Sequence, residues 1–373
     1  MRRINTNQLK PGMVVARTIF GPTGEPLLKS GVELKDQYIN NLKRLRINNI
    51  YIRDERLDGV ECKDVISDES RLEAKKIIYD YFSVQDRFKF LGDLEKSLIK
   101  TADKIVNEIL NKEEIVLNLQ DIKSSDSYTY DHCINVCVLS VIAGMKLNLS
   151  KDELVQIALG SAIHDIGKLE IPKIILNKPA ALTREEFTIV KEHARKGFDR
   201  FRKSSFTSEV VGNIILQHHE RHTGHGYPFG LKGEDIDHMA QIVSIADVYD
   251  ALTSTRPYRK AYQPHKAIEM FLSVGGVDFN IEVLNAFLSF IPSFPVGTHV
   301  VLNNQESGLV INNTPGFSTR PTIRILYEGP NFSTHHSPYE VSLIENTSLV
   351  IIGMIDEEGT YQHFRFSPSD YKG

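Results

Sequence analysis

The chain has 373 residues, 41% of them apolar, and three cysteines. This length allows two or three domains, the apolar share excludes a disordered chain, and so few cysteines exclude a disulfide framework. The formal net charge of −4 disfavours a nucleic-acid polymer as partner, although a few local arginines could still hold a small anion. Because neither a signal-peptide pattern nor a run of about 18 apolar residues is present, we expect a cytoplasmic protein without a membrane span.

Residues 1–58 are predicted to form a small α+β domain. Short β-type runs, MVVARTIF and NIYIR, are separated by glycine and proline and by a helical pattern, DQYINNLKRL. Residues 59–118 carry apolar side chains at helical spacing among many charges, which predicts one or two amphipathic helices. This second segment fits a helical connector or the interface of a homodimer.

Residues 119–293 are predicted to be helical throughout. The sequences SKDE at Ser150 and TREE at Thr183 match the capping box that begins many helices. Residues 294–373 change to short β-type runs broken by Asn, Gly and Pro, which predict a β-rich domain of about five strands. The expected fold is therefore multidomain, with an all-α core flanked by an N-terminal α+β module and a C-terminal β domain.

Histidines and aspartates are concentrated in the helical segment, where eight of the 13 histidines lie between His132 and His238. Six of these polar residues stand out by their apolar surroundings or their pairing: His164, Asp165, His193, His218, His219 and Asp247. One such residue is more often a satisfied core group than a ligand. Six together favour a metal site, because buried carboxylates are costly unless paired, and imidazole with carboxylate suits iron, manganese or zinc.

Two of the candidate ligand pairs are adjacent in sequence. Neighbours on a helix point about 100° apart, so adjacent ligands converge only on two ions between them or at a helix end. Gly167 follows His164 and Asp165, and a Gly-rich loop follows His218 and His219, so both pairs are expected at helix ends. Two ions about 3.5–4 Å apart are the usual clamp for phosphodiester hydrolysis, and Asp165 is the candidate bridging carboxylate.

Cys133 and Cys137 flank His132 and could suggest a zinc site with thiolate ligands. On a helix they lie about 100° and 140° around from His132, so neither shares its face. We interpret both as small packing residues.

The motifs HDIGK, EH followed by G, HHERHTGHGYPFGL and ADVYDALTSTRPYRKA together resemble the HD-GYP subgroup of the HD phosphohydrolase superfamily. The resemblance covers residues 119 to about 290. It implies an HD-type helical bundle around a binuclear or trinuclear iron or manganese centre, and bacterial cyclic di-GMP phosphodiesterase activity that yields linear pGpG and often GMP. The N-terminal segment is similar to a small domain found ahead of some HD-GYP domains, whereas the C-terminal strands suggest no family.

The resemblance also assigns roles to individual residues. It adds His132 to the six metal ligands above. It also implies that Asp165 and Lys168 are catalytic, with the lysine in contact with the scissile phosphate. Gly226, Tyr227 and Pro228 form the substrate loop, with the tyrosine against a guanine, and Arg256 and Arg259 match phosphate-binding positions. His222 and His225 depart from the family pattern, as does Thr223 in place of a common aspartate, and neither histidine is expected to be a ligand.

The number of metals is predicted from the position four residues before His132. Some HD-GYP proteins have a glutamate there and hold three ions, but this chain has Tyr128. A neutral phenol is a poor ligand at neutral pH, and Asp126 and Asp131 lie off the face of His132, so we expect two divalent transition-metal ions, iron or manganese.

Two other functions stay open at this point. A degenerate module could bind a cyclic dinucleotide or a partner protein without turnover, and signalling proteins could dock on the Gly-Tyr-Pro loop or the terminal domains. Alternatively, the enzyme could hydrolyse another nucleotide, such as the hybrid cyclic GMP-AMP. The complete ligand set disfavours the first of these.

Overall fold

A computed structural model describes residues 1–21, 25–45, 47, 49–60, 64–83, 91–112, 115, 117, 128–204, 207–254, 261–329, 333–356 and 359–364. The described parts of Met1–Asp64, Val116–Ser125 and Ser289–Gly373 form one compact unit, and those of Val65–Ile115 and Asp126–Leu288 form a second. The predicted division into four domains follows the chain order and stays a prediction.

The N-terminal part of the first unit is a small α+β module, as predicted. Its elements are β1 (Arg2–Asn5), β2 (Ile19–Phe20), β3 (Pro26–Leu28), α1 (Asp36–Arg44) and β4 (Asn49–Ile52). The strands pair antiparallel, β1 with β4 and β2 with β3. Val15, Leu42 and Ile50 are buried in its core. The sequence RRIN of β1 was not predicted as a strand because it is short and polar.

The C-terminal part of the first unit is a six-stranded antiparallel sheet. Its strands are β5 (His299–Leu302), β6 (Ser307–Asn312), β7 (Thr322–Glu328), β8 (Ser333–Ser342), β9 (Ile351–Ile355) and β10 (Tyr361–His363). They lie in the order β10-β9-β5-β6-β7-β8. Five of the six match predicted runs; β10 is a three-residue edge strand with every residue exposed, so it lacks an apolar signal.

The two parts of the first unit are joined by contacts distant in sequence. The Nη1 of Arg324 in β7 donates hydrogen bonds of 3.0 Å to the backbone oxygens of Arg56 and Asp58. Leu57 packs in one apolar cluster with Leu309 and Leu326. These contacts explain why the N- and C-terminal segments form one unit although the helical segment separates them.

The second unit is helical, as predicted. Its helices are α2 (Asp68–Ser83), α3 (Leu91–Leu110), α4 (Tyr128–Lys146), α5 (Lys151–Ile163), α6 (Lys173–Leu176), α7 (Arg184–Lys191), α8 (His193–Phe201), α9 (Glu209–Gln217), α10 (His238–Thr253), α11 (Pro264–Val274) and α12 (Ile281–Leu288). None of the described helices combines the length and apolar character that crossing a bilayer requires.

Local signals set the ends of several of these helices. Both predicted capping boxes are present: Ser150 exchanges bonds with Glu153 at the start of α5, and Thr183 with Glu186 at the start of α7. Along α4, α5 and α10 most residues are buried on every side, which is typical of central helices. These three helices therefore form a rigid support for the polar residues they carry.

Candidate metal centre

Five elements bring the candidate ligands together. His132 lies on α4 and Asp247 within α10, while His193 is the first residue of α8. His164 is the C-cap of α5 with Asp165 next, and His218 is the C-cap of α9 with His219 next. The expectation that both adjacent pairs lie at helix ends is thus confirmed. Lys168 lies in the 3₁₀ turn Ile166–Glu170, and Arg256 and Arg259 lie outside the described residues.

The position of Gly167 explains how the loop after α5 approaches α8. A Cβ added at Gly167 would lie 1.9 Å from the backbone oxygen of His193 and 2.5 Å from the backbone nitrogen of Gly197. Only glycine allows the two backbones to come this close. The contact holds Asp165 beside His193, which begins α8 at this point.

We expect Gly167→Ala to destabilise the helical unit by about 3 kcal/mol or more, because the clash is with backbone and no side-chain rotation relieves it. Thermal denaturation would show the loss as a lower melting temperature. Gly92→Ala on α3 is the control, since a Cβ there meets nothing within 4 Å. A Gly167→Ala protein as stable as the control would contradict this view of the backbone contact.

The ligand atoms form three overlapping groups of potential metal ligands. These groups are His132 with His164 and Asp247, His164 with Asp165 and His218, and His193 with His218 and His219. Within each group the atoms lie within 4.8 Å of one another. Because His164 and His218 each belong to two groups, the cluster is elongated and has room for more than one ion.

Hydrogen bonds from Nδ1 to backbone carbonyls fix how three of the histidines are oriented. The Nδ1 of His164 lies 2.7 Å from the backbone oxygen of Ser161, and that of His193 lies 2.7 Å from the oxygen of Val190. His218 makes the same kind of bond at 2.9 Å to Ile215. A carbonyl only accepts, so each Nδ1 carries the proton and each neutral ring presents its Nε2 lone pair to the cluster. This arrangement is usual for metal-binding histidines.

The inward-facing atoms fit a cation. The Nε2 atoms of His193 and His218 lie 3.3 Å apart, so two lone pairs face each other without a proton between them. The Nε2 of His164 and the Oδ1 of Asp165 are buried and have no hydrogen-bond partner among the described residues. Buried acceptors left in this way are costly, and a shared cation removes the cost. The residues present therefore fit metal ions.

The pKa values agree with this chemistry. Burial lowers the pKa of His193 to about 4 and that of His218 to about 3, so both rings are neutral near pH 7. Burial opposes ionisation of Asp165, but Lys168 and the surrounding histidines outweigh it and hold the pKa of the carboxyl well below its usual range. Neutral imidazoles and an ionised carboxylate are the forms that bind metal.

Asp250 supports His132 and was not singled out in the sequence. Its Oδ2 accepts a 2.7 Å bond from Nδ1 of His132, and its Oδ1 accepts a 2.9 Å bond from Nδ2 of Asn135. The Nε2 of His132 lies 3.1 Å from Asp247 on the other side. Burial lowers the pKa of His132, yet Asp247 and Asp250 together outweigh it and raise this pKa to about 9. The spacing of the two aspartates, three residues apart on α10, was the signal that could have revealed Asp250.

The cluster is accessible from one side. The side chain of His219 is 17% exposed and that of Asp247 is 11% exposed, whereas His164 is fully buried. Lys168, which is 33% exposed, places its Nζ 2.5 Å from Oδ2 of Asp165. Tyr227 stacks on His219 with ring centroids 4.7 Å apart. A substrate therefore meets His219, Lys168 and the Gly-Tyr-Pro loop first.

Glu220 holds the Gly-Tyr-Pro loop in place and is a further residue that the sequence did not single out. Its buried carboxylate accepts backbone N–H bonds from Phe229 at 2.8 Å and Leu231 at 3.0 Å. The N–H of Tyr227 donates to the backbone oxygen of His219. The loop is thus tied to the same residues that follow α9.

Cys133 and Cys137 are buried thiols, and burial raises the pKa of Cys137 to about 12. A thiol with so high a pKa is not a thiolate ligand at neutral pH. Neither cysteine belongs to a ligand group among the described residues. Their interpretation as packing residues is consistent with this environment.

His222 and His225 likewise belong to none of the ligand groups among the described residues. His225 is exposed, and its Nδ1 lies 3.3 Å from the hydroxyl of Thr223. We expect replacement of both histidines by Asn to leave the metal content unchanged, because the cluster is complete without them. Elemental analysis of the purified variant checks this, and a loss of one ion per chain would contradict it.

Comparison with known proteins agrees with the motifs. Residues 106–280 match the family model of the HD domain. This segment belongs to the HD domain family. Residues 299–363 match a second model, the KOW domain associated with HD domains, which the sequence analysis did not recognise.

Curated relatives of this HD domain protein include several phosphodiesterases. A cyclic di-GMP phosphodiesterase of Pseudomonas aeruginosa is 35% identical over 226 residues, which are 61% of this chain and 54% of the relative. The response regulator RpfG of Xanthomonas campestris, named a cyclic di-GMP phosphodiesterase, is 40% identical over 154 residues, 40% of this chain and 41% of the relative. A 3′3′-cGAMP-specific phosphodiesterase of Vibrio cholerae is 31% identical over 261 residues, 68% of this chain and 59% of the relative. The chain thus spans about half the length of the first curated relatives it matches, and the resemblance to the HD-GYP subgroup is confirmed.

Proposed function

We propose that this protein is a metal-dependent phosphodiesterase that hydrolyses cyclic di-GMP to linear pGpG, GMP or both in bacterial second-messenger signalling. The observation that carries the proposal is the elongated cluster of inward-facing imidazoles around ionised Asp165 and Asp247. The relatives named as cyclic di-GMP phosphodiesterases support the choice of substrate.

The proposed ligands are His132, His164, Asp165, His193, His218, His219 and Asp247. Two divalent transition-metal ions, iron or manganese, would be held there and would supply a water nucleophile at neutral pH and neutralise charge on the phosphodiester. Asp165 is the proposed bridging ligand, because it lies next to His164 and within 3.5 Å of His193. Asp250 and the three carbonyls keep the rings in the orientation that presents Nε2.

Lys168 is proposed to contact the scissile phosphate. Its ammonium lies beside Asp165 at the accessible side of the cluster, where an anionic phosphodiester would arrive. The buried walls made by α4, α5 and α10 keep bulk water from the far side of the cluster, which strengthens the electrostatic attraction. The loop with Gly226, Tyr227 and Pro228, together with Arg256 and Arg259, is proposed to bind the rest of the dinucleotide.

Two metal ions per chain are expected because Tyr128 stands where a glutamate could help to bind a third ion. Tyr128 begins α4, but its side chain lies outside what the structure describes, as does Asp126. The carboxylate of Asp131 forms an ion pair with Nζ of Lys75 at 2.9 Å. Mass spectrometry of protein purified without chelator should give two transition-metal ions per chain. We expect Tyr128→Glu to raise this number, and a stoichiometry of three in the unchanged protein would refute the prediction.

The function is tested by incubating anaerobically purified, iron- or manganese-loaded protein with a panel of cyclic dinucleotides and nucleotides. Chromatography should show cyclic di-GMP converted to pGpG or GMP. If only cyclic GMP-AMP were hydrolysed, the substrate would instead be the one in the name of the Vibrio cholerae relative. Binding of a cyclic dinucleotide without any turnover would instead identify a degenerate module that acts by binding.

A further inference from the structure

Outside the metal cluster, an aromatic residue and a lysine on α7 extend the accessible side of the site. Phe187 is 45% exposed, and its ring meets the ring of Tyr227 edge-on with centroids 6.4 Å apart. Tyr227 in turn stacks on His219. A row of rings therefore leads from a candidate ligand outward to Phe187, which is the most exposed of the three.

Lys191 completes this feature. It lies four residues after Phe187 and so on the same face of α7. Its Nζ is 4.8 Å from the ring centroid of Phe187 and 5.3 Å from that of Tyr227. No carboxylate pairs with Lys191 within the part of the chain that the structure describes, so its hydrogen-bond donors remain available to an incoming molecule.

The position of this pair relative to the metal cluster is fixed by short, rigid connections. Lys191 ends α7, and only Glu192 separates it from His193 at the start of α8. The other end of α7 is held by the capping box of Thr183 and Glu186. The pair is therefore held close to His193 and, through the Tyr227 ring, to His219.

We infer that Phe187 and Lys191 form a base subsite that selects guanine. The ring of Phe187 offers an exposed surface on which a purine stacks, whereas the ring of Tyr227 is already covered on one side by His219. An ammonium donates to the O6 and N7 acceptors of guanine, while adenine presents an amino donor in place of O6. Neither residue was identified in the sequence. The inference rests on the proposed function and specifies which base its substrate must carry.

Substitution of Phe187 tests the stacking surface. We expect Phe187→Leu to raise KM for cyclic di-GMP about tenfold with kcat within about twofold, as loss of stacking on one base predicts, and Phe187→Trp to retain the low KM. Ile189→Ala is the matched control, because Ile189 is an exposed apolar residue on the same helix but on another face. An unchanged KM in Phe187→Leu would overturn the inference while leaving the proposed function in place.

Substitution of Lys191 tests the selection of guanine. Cyclic di-AMP is added as a competitor during cyclic di-GMP hydrolysis, so that its inhibition constant is measured without its own turnover. We expect Lys191→Met to reduce the preference for cyclic di-GMP over cyclic di-AMP about tenfold while metal content stays the same. Equal weakening of both dinucleotides would show that Lys191 attracts phosphate only and would refute its role in selection.

Fluorescence anisotropy with a labelled cyclic di-GMP separates the two proposals. If the unchanged protein binds the probe but does not hydrolyse it, the proposed enzyme fails, and an about tenfold weaker dissociation constant in Phe187→Leu still supports the subsite. If the probe does not bind the metal-loaded protein at all, both proposals are refuted.

Discussion

Asp165→Ala is expected to remove bound metal and phosphodiesterase activity together, with activity falling by at least about 10³-fold. The physical reason is that Asp165 lies at the centre of the cluster, near His164, His193 and Lys168, and is the proposed bridge between the two ions. Without its charge, Asp247 is the one carboxylate left in the proposed ligand set. Elemental analysis and hydrolysis of cyclic di-GMP measured on the same preparation check the result.

Two further variants make this test specific. Asp152→Ala changes an exposed aspartate at the start of α5 and should leave both metal content and activity as they are. Asp165→Asn keeps the shape of the side chain but not its charge, so it should also lose metal while folding normally by circular dichroism. Full activity with normal metal content in Asp165→Ala would show that this carboxylate is not a bridging ligand.

Sequence reasoning located the candidate ligands well because their positions depend on local signals. The capping box at Ser150 begins α5, and Gly167 lies in the 3₁₀ turn just after its C-cap, so His164 and Asp165 could be placed at a helix end. The same logic placed His218 and His219 after α9. Helix ends are encoded within a few residues and can therefore be recognised without knowledge of the fold.

Features that depend on contacts distant in sequence could not be predicted in the same way. The hydrogen bond from Arg56 to the hydroxyl of Tyr327 and those from Arg324 to Arg56 and Asp58 join residues more than 260 positions apart. No local sequence pattern in either segment predicts these hydrogen bonds. The pairing of Phe187 with Tyr227 is of the same kind, because it depends on how α7 packs against a loop about 40 residues later.

Asp250 was missed for a different reason. In an otherwise apolar helix, Asp247 and Asp250 give the same sequence signal, and only the structure shows which of them faces the cluster. Asp247 reaches Nε2 of His132, whereas Asp250 lies behind the same ring and accepts from Nδ1. One is placed to bind metal and the other to orient the histidine that does.

Asp250→Ala is therefore expected to weaken metal binding about 10–100-fold without removing a ligand. The substitution leaves the buried Nδ1 of His132 without its acceptor and frees the ring to turn its Nε2 away from the cluster. The substitution also removes the oxygen that accepts a hydrogen bond from Nδ2 of Asn135. Titration with Mn²⁺ against a competing chelator gives the dissociation constant directly. The Asp250→Ala variant, once saturated with metal, should recover much of the kcat of the unchanged protein.

Two variants on the same hydrogen-bond network separate orientation of His132 from a general loss of packing. Asp250→Asn keeps an oxygen that can accept from Nδ1, so it should weaken metal binding less than Asp250→Ala does. Ser254→Ala removes the donor of a 3.3 Å bond to Oδ2 of Asp250 and should change the dissociation constant by less than about twofold. If all three variants bound metal as tightly as the unchanged protein, His132 would need no support from α10, and its proposed role as a ligand would lose its structural basis.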